Sequence, residues 1–165
     1  MRCYVPSMAK LVEVRSGRPS LVFIFTTGVI AAFIVSLFIA TGIWMHWFPT
    51  PAGAGPITWI LGLFLHLLMG GGFALIYSAL FRSLAKSGAA TGAVIGFFHW
   101  VVVGILISLL LGPSNRAYWI MYGRPTFFSS LTLHLLFGAI VGGFYRFAIQ
   151  ANQKQQINRR SERAA

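Results

Sequence analysis

Residues 65–77 of the chain, LHLLMGGGFALIY, recur in a closely similar form as residues 133–145, LHLLFGAIVGGFY. In both copies a histidine, His66 or His134, is followed by a glycine four positions later and by a tyrosine eleven positions later. Each copy lies inside a long apolar run, so the pattern predicts two similar helices that each place one imidazole among apolar side chains. The two histidines are therefore the first candidates for a paired site.

The composition around these stretches is that of a membrane protein. Of the 165 residues, 57% are hydrophobic and 9% are charged, against about a quarter charged in soluble domains, and the mean hydropathy is +0.77. The two carboxylates, Glu13 and Glu162, both lie in the terminal tails. Paired-carboxylate catalysis is therefore excluded, and neither an HExxH motif nor a Ser-His-Asp set can be assembled. The sequence predicts a protein that is not an enzyme.

Four apolar runs account for most of the chain. Each is long enough, at about 1.5 Å of rise per residue, to cross a hydrocarbon core of about 30 Å. We therefore predict an all-α membrane protein with four transmembrane helices, at residues 21–48, 57–81, 87–111 and 126–150. Residues 1–20 and 151–165 are basic, polar tails, and we expect the second of them to be frayed.

The distribution of basic residues predicts the orientation. Of the 13 Lys and Arg residues, Arg116 and Arg124 fall on one side of the predicted helices and the other 11 on the side of both termini. Because Lys and Arg are in excess on the cytoplasmic side, we expect a multi-pass protein of the inner (cytoplasmic) membrane with both termini cytoplasmic. The net charge of +11 is assigned to this orientation and to contacts with anionic lipid headgroups, and not to nucleic acid.

The repeat extends beyond its two histidines. An offset of 68 residues aligns the second predicted helix with the fourth, and an offset of 64 aligns the first with the third, so that Gly28 falls on Gly92 and Pro49 on Pro113. Helices one and two, and helices three and four, would then be tandem hairpins of like orientation. We expect them to be related by a parallel pseudo-two-fold axis along the membrane normal.

Small residues recur at every fourth position in all four predicted helices. Such rows let helix backbones approach closely in lipid, where the hydrophobic effect contributes little to helix association. Whether the rows face one another or a second copy of the chain is left open by the sequence. The residues assigned to helix packing are Gly28, Ala32, Gly62, Gly70, Ala74, Gly92, Gly96, Gly104, Gly138 and Gly142.

Three of the four histidines fall at similar predicted depths in different helices. His46 lies at the outer interface and needs no functional explanation, whereas His66, His99 and His134 lie well inside their spans. The leading interpretation is that each neutral imidazole makes hydrogen bonds across a helix interface. This interpretation requires no cofactor, and the hydroxyls of Ser36 and other nearby residues are available as partners.

Two site hypotheses remain open beside it. In the first, His66 and His134 are the axial ligands of a haem b, with Gly70 and Gly138 leaving room for the flat macrocycle. In the second, His66, His99 and His134 bind copper or zinc, which imidazole suits, although no carboxylate or thiolate is available to compensate the charge.

The repeated His-Leu-Leu-x-Gly motif and the Gly112-Pro113 pair after the third span resemble the small four-helix inner-membrane proteins of bacteria of the YagU-like kind. The resemblance implies an architecture and carries no activity or site residues. From the four small-residue rows and the absence of buried charge we expect a structural or interaction protein, or an accessory subunit, that forms a homodimer or binds another membrane protein. The alternatives are a haem or metal electron-transfer module and a small transporter or permeation subunit.

Overall fold

The structure, a computed structural model, describes residues 18–47, 55–107 and 113–164, and this part of the chain contains helices and no strand. The helices are α1 (Leu21–Trp44), α2 (Pro56–Ser83), α3 (Ala89–His99) and α4 (Pro113–Ala164). Directly after α3 the chain continues as a π-helical segment, Trp100–Ile107. The predicted all-α class with four helices is confirmed.

Three of these helices are long and apolar enough to cross a membrane: α1, α2 and the part of α4 from Phe128 to Arg163. The region of the third predicted span contains a shorter apolar helix, Ala89–Val103, in which the α-helical geometry gives way to the wider π-helical turn at Trp100. No residue pattern predicts this change of winding, which is rare in proteins.

Helix α4 is longer than the predicted fourth span, because it begins at Pro113 and continues through residues 151–164, which we had expected to be frayed. Proline suits the first turn of a helix, where its missing N–H would have no partner. Residues 151–164 contain neither glycine nor proline and are rich in Gln, Arg and Ala, all of which have high helix propensity. The side chains of Arg116 and Arg124, used to predict the orientation, lie outside the described residues.

Capping interactions define both ends of α1. The Ser20 hydroxyl accepts a hydrogen bond from the Phe23 N–H at 3.1 Å. At the other end the Trp47 N–H donates to the Gly42 carbonyl at 2.7 Å and the His46 N–H to the Ile43 carbonyl at 3.0 Å. This pair of bonds is the Schellman motif, and it places His46 in the left-handed conformation with φ of 58°. The helix therefore ends before the predicted limit at residue 48, and His46 has a local structural role.

Helix α2 also ends in a left-handed residue, Ala85, whose φ is 51°. We expect Ala85→Gly to raise the free energy of unfolding by up to about 1 kcal/mol, because the left-handed region is strained for alanine and open to glycine. The matched control is Ala79→Gly, the same change at an exposed helical position of α2, which should lower the free energy of unfolding by about 1 kcal/mol. Unfolding of the purified protein by SDS in mixed micelles measures both values, and a loss of stability in both variants would contradict the prediction.

The tightest packing occurs within two helix pairs, α1 with α2 and α3 with α4. A Cβ atom added at Gly28 would overlap the carbonyl oxygen of Gly70, and one added at Gly92 would overlap the carbonyl oxygen of Gly138. Gly96 lies equally close to the backbone of His134. These small-residue rows therefore pack against one another within a single chain, which is one of the two arrangements that the sequence leaves open. The packing of Gly104 is not among the contacts that the structure describes.

The two pairs meet along contacts between α1 and α4, with further contacts from α2 to α3 and α4. Phe137 of α4 packs over Gly70 of α2, 3.5 Å from the position of an added Cβ. The tyrosines of the repeated motif, Tyr77 and Tyr145, are both buried at this junction. The buried core consists of Ile24, Ala31, Ala32, Val35, Ala74, Tyr77, Phe81, Ile95, Phe137, Val141 and Tyr145.

Candidate functional site

The structure separates the three candidate histidines into a pair and a single residue. The rings of His99 in α3 and His134 in α4 lie edge to face, with centroids 4.9 Å apart and planes inclined at 80°. His66 instead pairs with Ser36 across the α1–α2 interface, with Ser36 Oγ and His66 Nδ1 2.8 Å apart. The two histidines of the repeated motif therefore have different surroundings.

His99 lies at the centre of a group that we call the histidine–aromatic cluster, made of Phe73, Tyr77, His99, His134 and Phe137. The Tyr77 hydroxyl lies 3.1 Å from His99 Nδ1, and the Phe73 ring packs 4.0 Å from the His99 ring between centroids. The Phe137 ring meets the Tyr77 ring edge to face at 5.7 Å. Three helices thus enclose the imidazole of His99, which is held by one hydrogen bond and by ring contacts on several sides.

The hydrogen bond of His134 determines which of its nitrogens carries the proton. Its Nδ1 lies 2.7 Å from the carbonyl oxygen of Ser130, one turn earlier in α4. A carbonyl oxygen only accepts, so the hydrogen must be on Nδ1, and Nε2 of the neutral ring is an acceptor. Of the three half-buried imidazoles, His66 and His99 make the predicted hydrogen bonds between helices, whereas His134 bonds within its own helix.

The proton of the Ser36–His66 pair can be placed in the same way. The Ser36 hydroxyl also lies 2.9 Å from the carbonyl oxygen of Ala32. A serine has one hydroxyl hydrogen, so both contacts are hydrogen bonds only if Ser36 donates to Ala32 and His66 Nδ1–H donates to Ser36. The Nε2 atom of His66 then carries a lone pair that this arrangement leaves unused.

The metal site predicted from His66, His99 and His134 is not assembled. Among the described residues, no group of three or more His, Cys, Asp or Glu side chains is arranged to hold a metal ion. His66 bonds to Ser36 of α1, whereas His99 of α3 and His134 of α4 face each other. Similar depth in the membrane did not bring the three side chains together.

The haem hypothesis also lacks the space that it requires. Gly70 and Gly138 were expected to make room for a macrocycle, but the close approach of neighbouring helices fills the space beside both. A Cβ at Gly70 would overlap Ala32 and come 2.9 Å from the Gly28 carbonyl oxygen, and one at Gly138 would overlap the Gly92 carbonyl oxygen. His66 and His134 therefore do not fit as the axial ligands of a haem inserted at these glycines.

A groove of about 480 Å³ opens between α1 and α2, along the same helix faces as Gly28 and Gly70 but beyond them, beside Ser36 and His66. Its polar lining includes Ser36 and His66, while most of the remaining lining is apolar. The residues that define its two walls include Phe33, Ser36, Leu37, Trp59, Gly62 and His66. The prediction that Gly62 takes part in helix packing is wrong, because a Cβ added there would meet no atom within 4 Å.

Sequence reasoning missed the enclosure of His99 by Phe73 and Tyr77. The spacing of Phe73 and Tyr77 by four residues, which places them on one face of α2, is the signal that could have indicated it. The groove had no signal in the sequence, because the pattern of every fourth residue continues past it on both helices, through Ser36 on α1 and through His66 and Gly62 on α2. Comparison with protein-family models, with curated proteins and with solved structures finds no match to this chain.

Proposed function

We propose that the chain is a structural or interaction protein of the inner membrane, without catalytic activity, whose helix bundle anchors a basic helical arm on the cytoplasmic side. The observation that carries the proposal is the continuity of α4. This helix runs from the packed residues Gly138 and Gly142 through Tyr145 to Ala164 without a break. A contact made by the arm is therefore transmitted directly to the bundle.

The arm, defined as residues 151–164, has the charge of a surface that recognises anions. It contains four basic residues and one acidic residue, so its formal charge is +3, and the side chains of Lys154, Arg159 and Arg163 are exposed. Such a helix is attracted to anionic lipid headgroups or to an acidic patch on another membrane protein. Most of the small-residue rows already pack against neighbouring helices of the same chain. The arm is therefore the favoured surface for binding a partner.

An internal duplication is part of the proposal. At the offsets of 64 and 68 residues, the contact of Gly28 with Gly70 corresponds to that of Gly92 with Gly138. The approach of Gly28 to Ala74 corresponds in the same way to that of Gly92 to Gly142. This agreement between contacts supports two tandem hairpins related by a parallel pseudo-two-fold. The proposed cytoplasmic position of both termini rests on the distribution of Lys and Arg residues.

Photo-crosslinking in cells tests the interaction role. A photoreactive amino acid at Gln155 of the arm should give discrete adducts with a protein or with anionic lipid, because this position lies among the exposed basic residues. The same amino acid at Val94, an exposed position of α3 that does not line the groove, is the control. Charge reversal by Arg159→Glu with Arg163→Glu should abolish the adducts while leaving the bundle folded.

The proposal fails if the arm gives no adduct in cells and the purified protein is monomeric. It also fails if the adducts are insensitive to the charge reversal, since they would then not depend on the basic residues. The haem alternative gains no support from the bundle, because helix packing fills the space that a macrocycle would need.

A further inference from the structure

The small-residue rows of α1 and α2 are closed at one end and open at the other. Gly28 and Ala32 lie against Gly70 and Ala74 at the closed end. The same rows continue through Ser36 on α1 and through His66 to Gly62 on α2, but here the helices diverge and the groove of about 480 Å³ lies between them. The groove is thus a wedge-shaped opening between two helix surfaces whose composition would allow close packing.

The size and lining of the groove are those of a small-molecule site. Ligand pockets typically measure about 300 to 1,000 Å³ and combine an apolar lining with a few polar groups that fix orientation. Here Phe33, Leu37 and Trp59 contribute apolar walls, and the Ser36–His66 pair is a polar group within them. Trp59 lies seven positions before His66 in α2, so the apolar wall extends about 10 Å from the imidazole toward the start of the helix.

The polar group presents an acceptor. Because Ser36 donates to the Ala32 carbonyl, His66 Nδ1 donates to Ser36, and the Nε2 lone pair remains available. Within the described part of the chain, His66 makes only this hydrogen bond, and its ring lines the groove. In a bilayer the surrounding hydrocarbon offers no donor, so an acceptor at this depth is unsatisfied until a ligand supplies one.

We propose that the groove binds a membrane-dissolved amphiphile that carries a hydroxyl group on a long hydrocarbon chain. The hydroxyl donates a hydrogen bond to Nε2 of His66, and the chain lies along the apolar wall between α1 and α2 toward Trp59. An ordinary acyl chain fills the same volume but brings no donor, so the site discriminates in favour of the alcohol. This site is independent of the basic arm, and each proposal can fail without the other.

Photolabelling with a matched pair of probes tests the site. The full-length protein in phosphatidylcholine–phosphatidylglycerol nanodiscs is labelled with a diazirine-bearing long-chain alcohol or with its methyl ether, which lacks the donor, and adducts are mapped by mass spectrometry. The alcohol should label residues of the groove walls about threefold to tenfold more than the ether, the ratio expected for one hydrogen bond within a membrane. His66→Phe should remove this preference while keeping a ring of similar size.

Two glycine variants on α2 locate the labelling. Gly62→Leu should abolish labelling of the walls, because the new side chain enters the groove without meeting an atom near its Cβ. Gly72→Leu is the matched control, since Gly72 is equally open but is not among the residues that line the groove, and labelling should be unchanged. Equal labelling by alcohol and ether in the unmodified protein would overturn the proposal. Wall labelling that persists in Gly62→Leu, or crosslinks through the walls to a second copy of the chain, would also overturn it.

Discussion

Gly92→Ala is expected to lower the free energy of unfolding by about 2 to 3 kcal/mol or more, since one methyl group has no space between α3 and α4. The new Cβ would overlap the carbonyl oxygen of Gly138, lie 2.8 Å from its carbonyl carbon and lie 3.1 Å from the Cα of Gly142. These neighbours are backbone atoms of a packed helix, so relief requires a displacement of α4. Overpacking of this kind typically costs about 1 to 3 kcal/mol, and here it opposes the helix propensity that alanine would gain.

The matched control is Gly143→Ala, one residue beyond Gly142 on α4. A Cβ at Gly143 would meet no atom within 4 Å, so only the change in helix propensity remains, and stability should rise by about 0.5 to 1 kcal/mol. The same chemical change is thus expected to have opposite signs at Gly92 and Gly143. Unfolding in mixed SDS micelles measures both variants, and a neutral Gly92→Ala would show that α3 and α4 do not pack this closely.

Tyr77→Ala is expected to cost about 3 to 5 kcal/mol, the range for removing a large buried aromatic side chain. The Tyr77 side chain is 2% exposed, and its ring contacts those of Phe81, His99 and Phe137. Its removal would leave a cavity at the junction of three helices. Thermal unfolding in detergent micelles, followed by circular dichroism, measures the loss.

The milder variant Tyr77→Phe separates the hydroxyl from the ring. It keeps the ring contacts and removes only the bond to His99 Nδ1, so the expected loss is about 0.6 to 1.7 kcal/mol, the range for interhelical hydrogen bonds in membranes. A double-mutant cycle with His99→Phe should give a coupling energy of similar size. A coupling near zero would contradict the hydrogen bond, whatever the effect of each single change.

The four helices could be predicted because apolar runs and proline residues mark them in the sequence. The C-terminal ends of α1 and α4 could not be predicted in this way. The first run remains apolar through Trp47, yet α1 ends at Trp44 because backbone bonds of the Schellman motif place His46 in a left-handed conformation. The C-terminal end of α4 was misjudged for the opposite reason. Polar composition indicated a frayed tail, but the high helix propensity of Gln, Lys and Arg continues the helix to Ala164.

The candidate site shows a different limit of sequence reasoning. Position along a helix gives the depth of a side chain, and depth alone suggested that His66, His99 and His134 belong together. The direction in which each points depends on how the helix is rotated about its axis, which is decided by the packing of every other residue on it. Gly70 packs against Ala32 of α1, and His66, one turn earlier on the same face of α2, meets Ser36, whereas His99 and His134 face each other.

The confinement of the closest glycine contacts to neighbouring helices also affects biosynthesis. Gly28 meets Gly70, and Gly92 meets Gly138, so each contact closes between helices that leave the ribosome one directly after the other. The first hairpin, α1 with α2, can therefore pack in the membrane while α3 and α4 are still being synthesised. The contacts of α1 with α4 require the complete chain, which makes the joining of two preformed hairpins the last step of assembly.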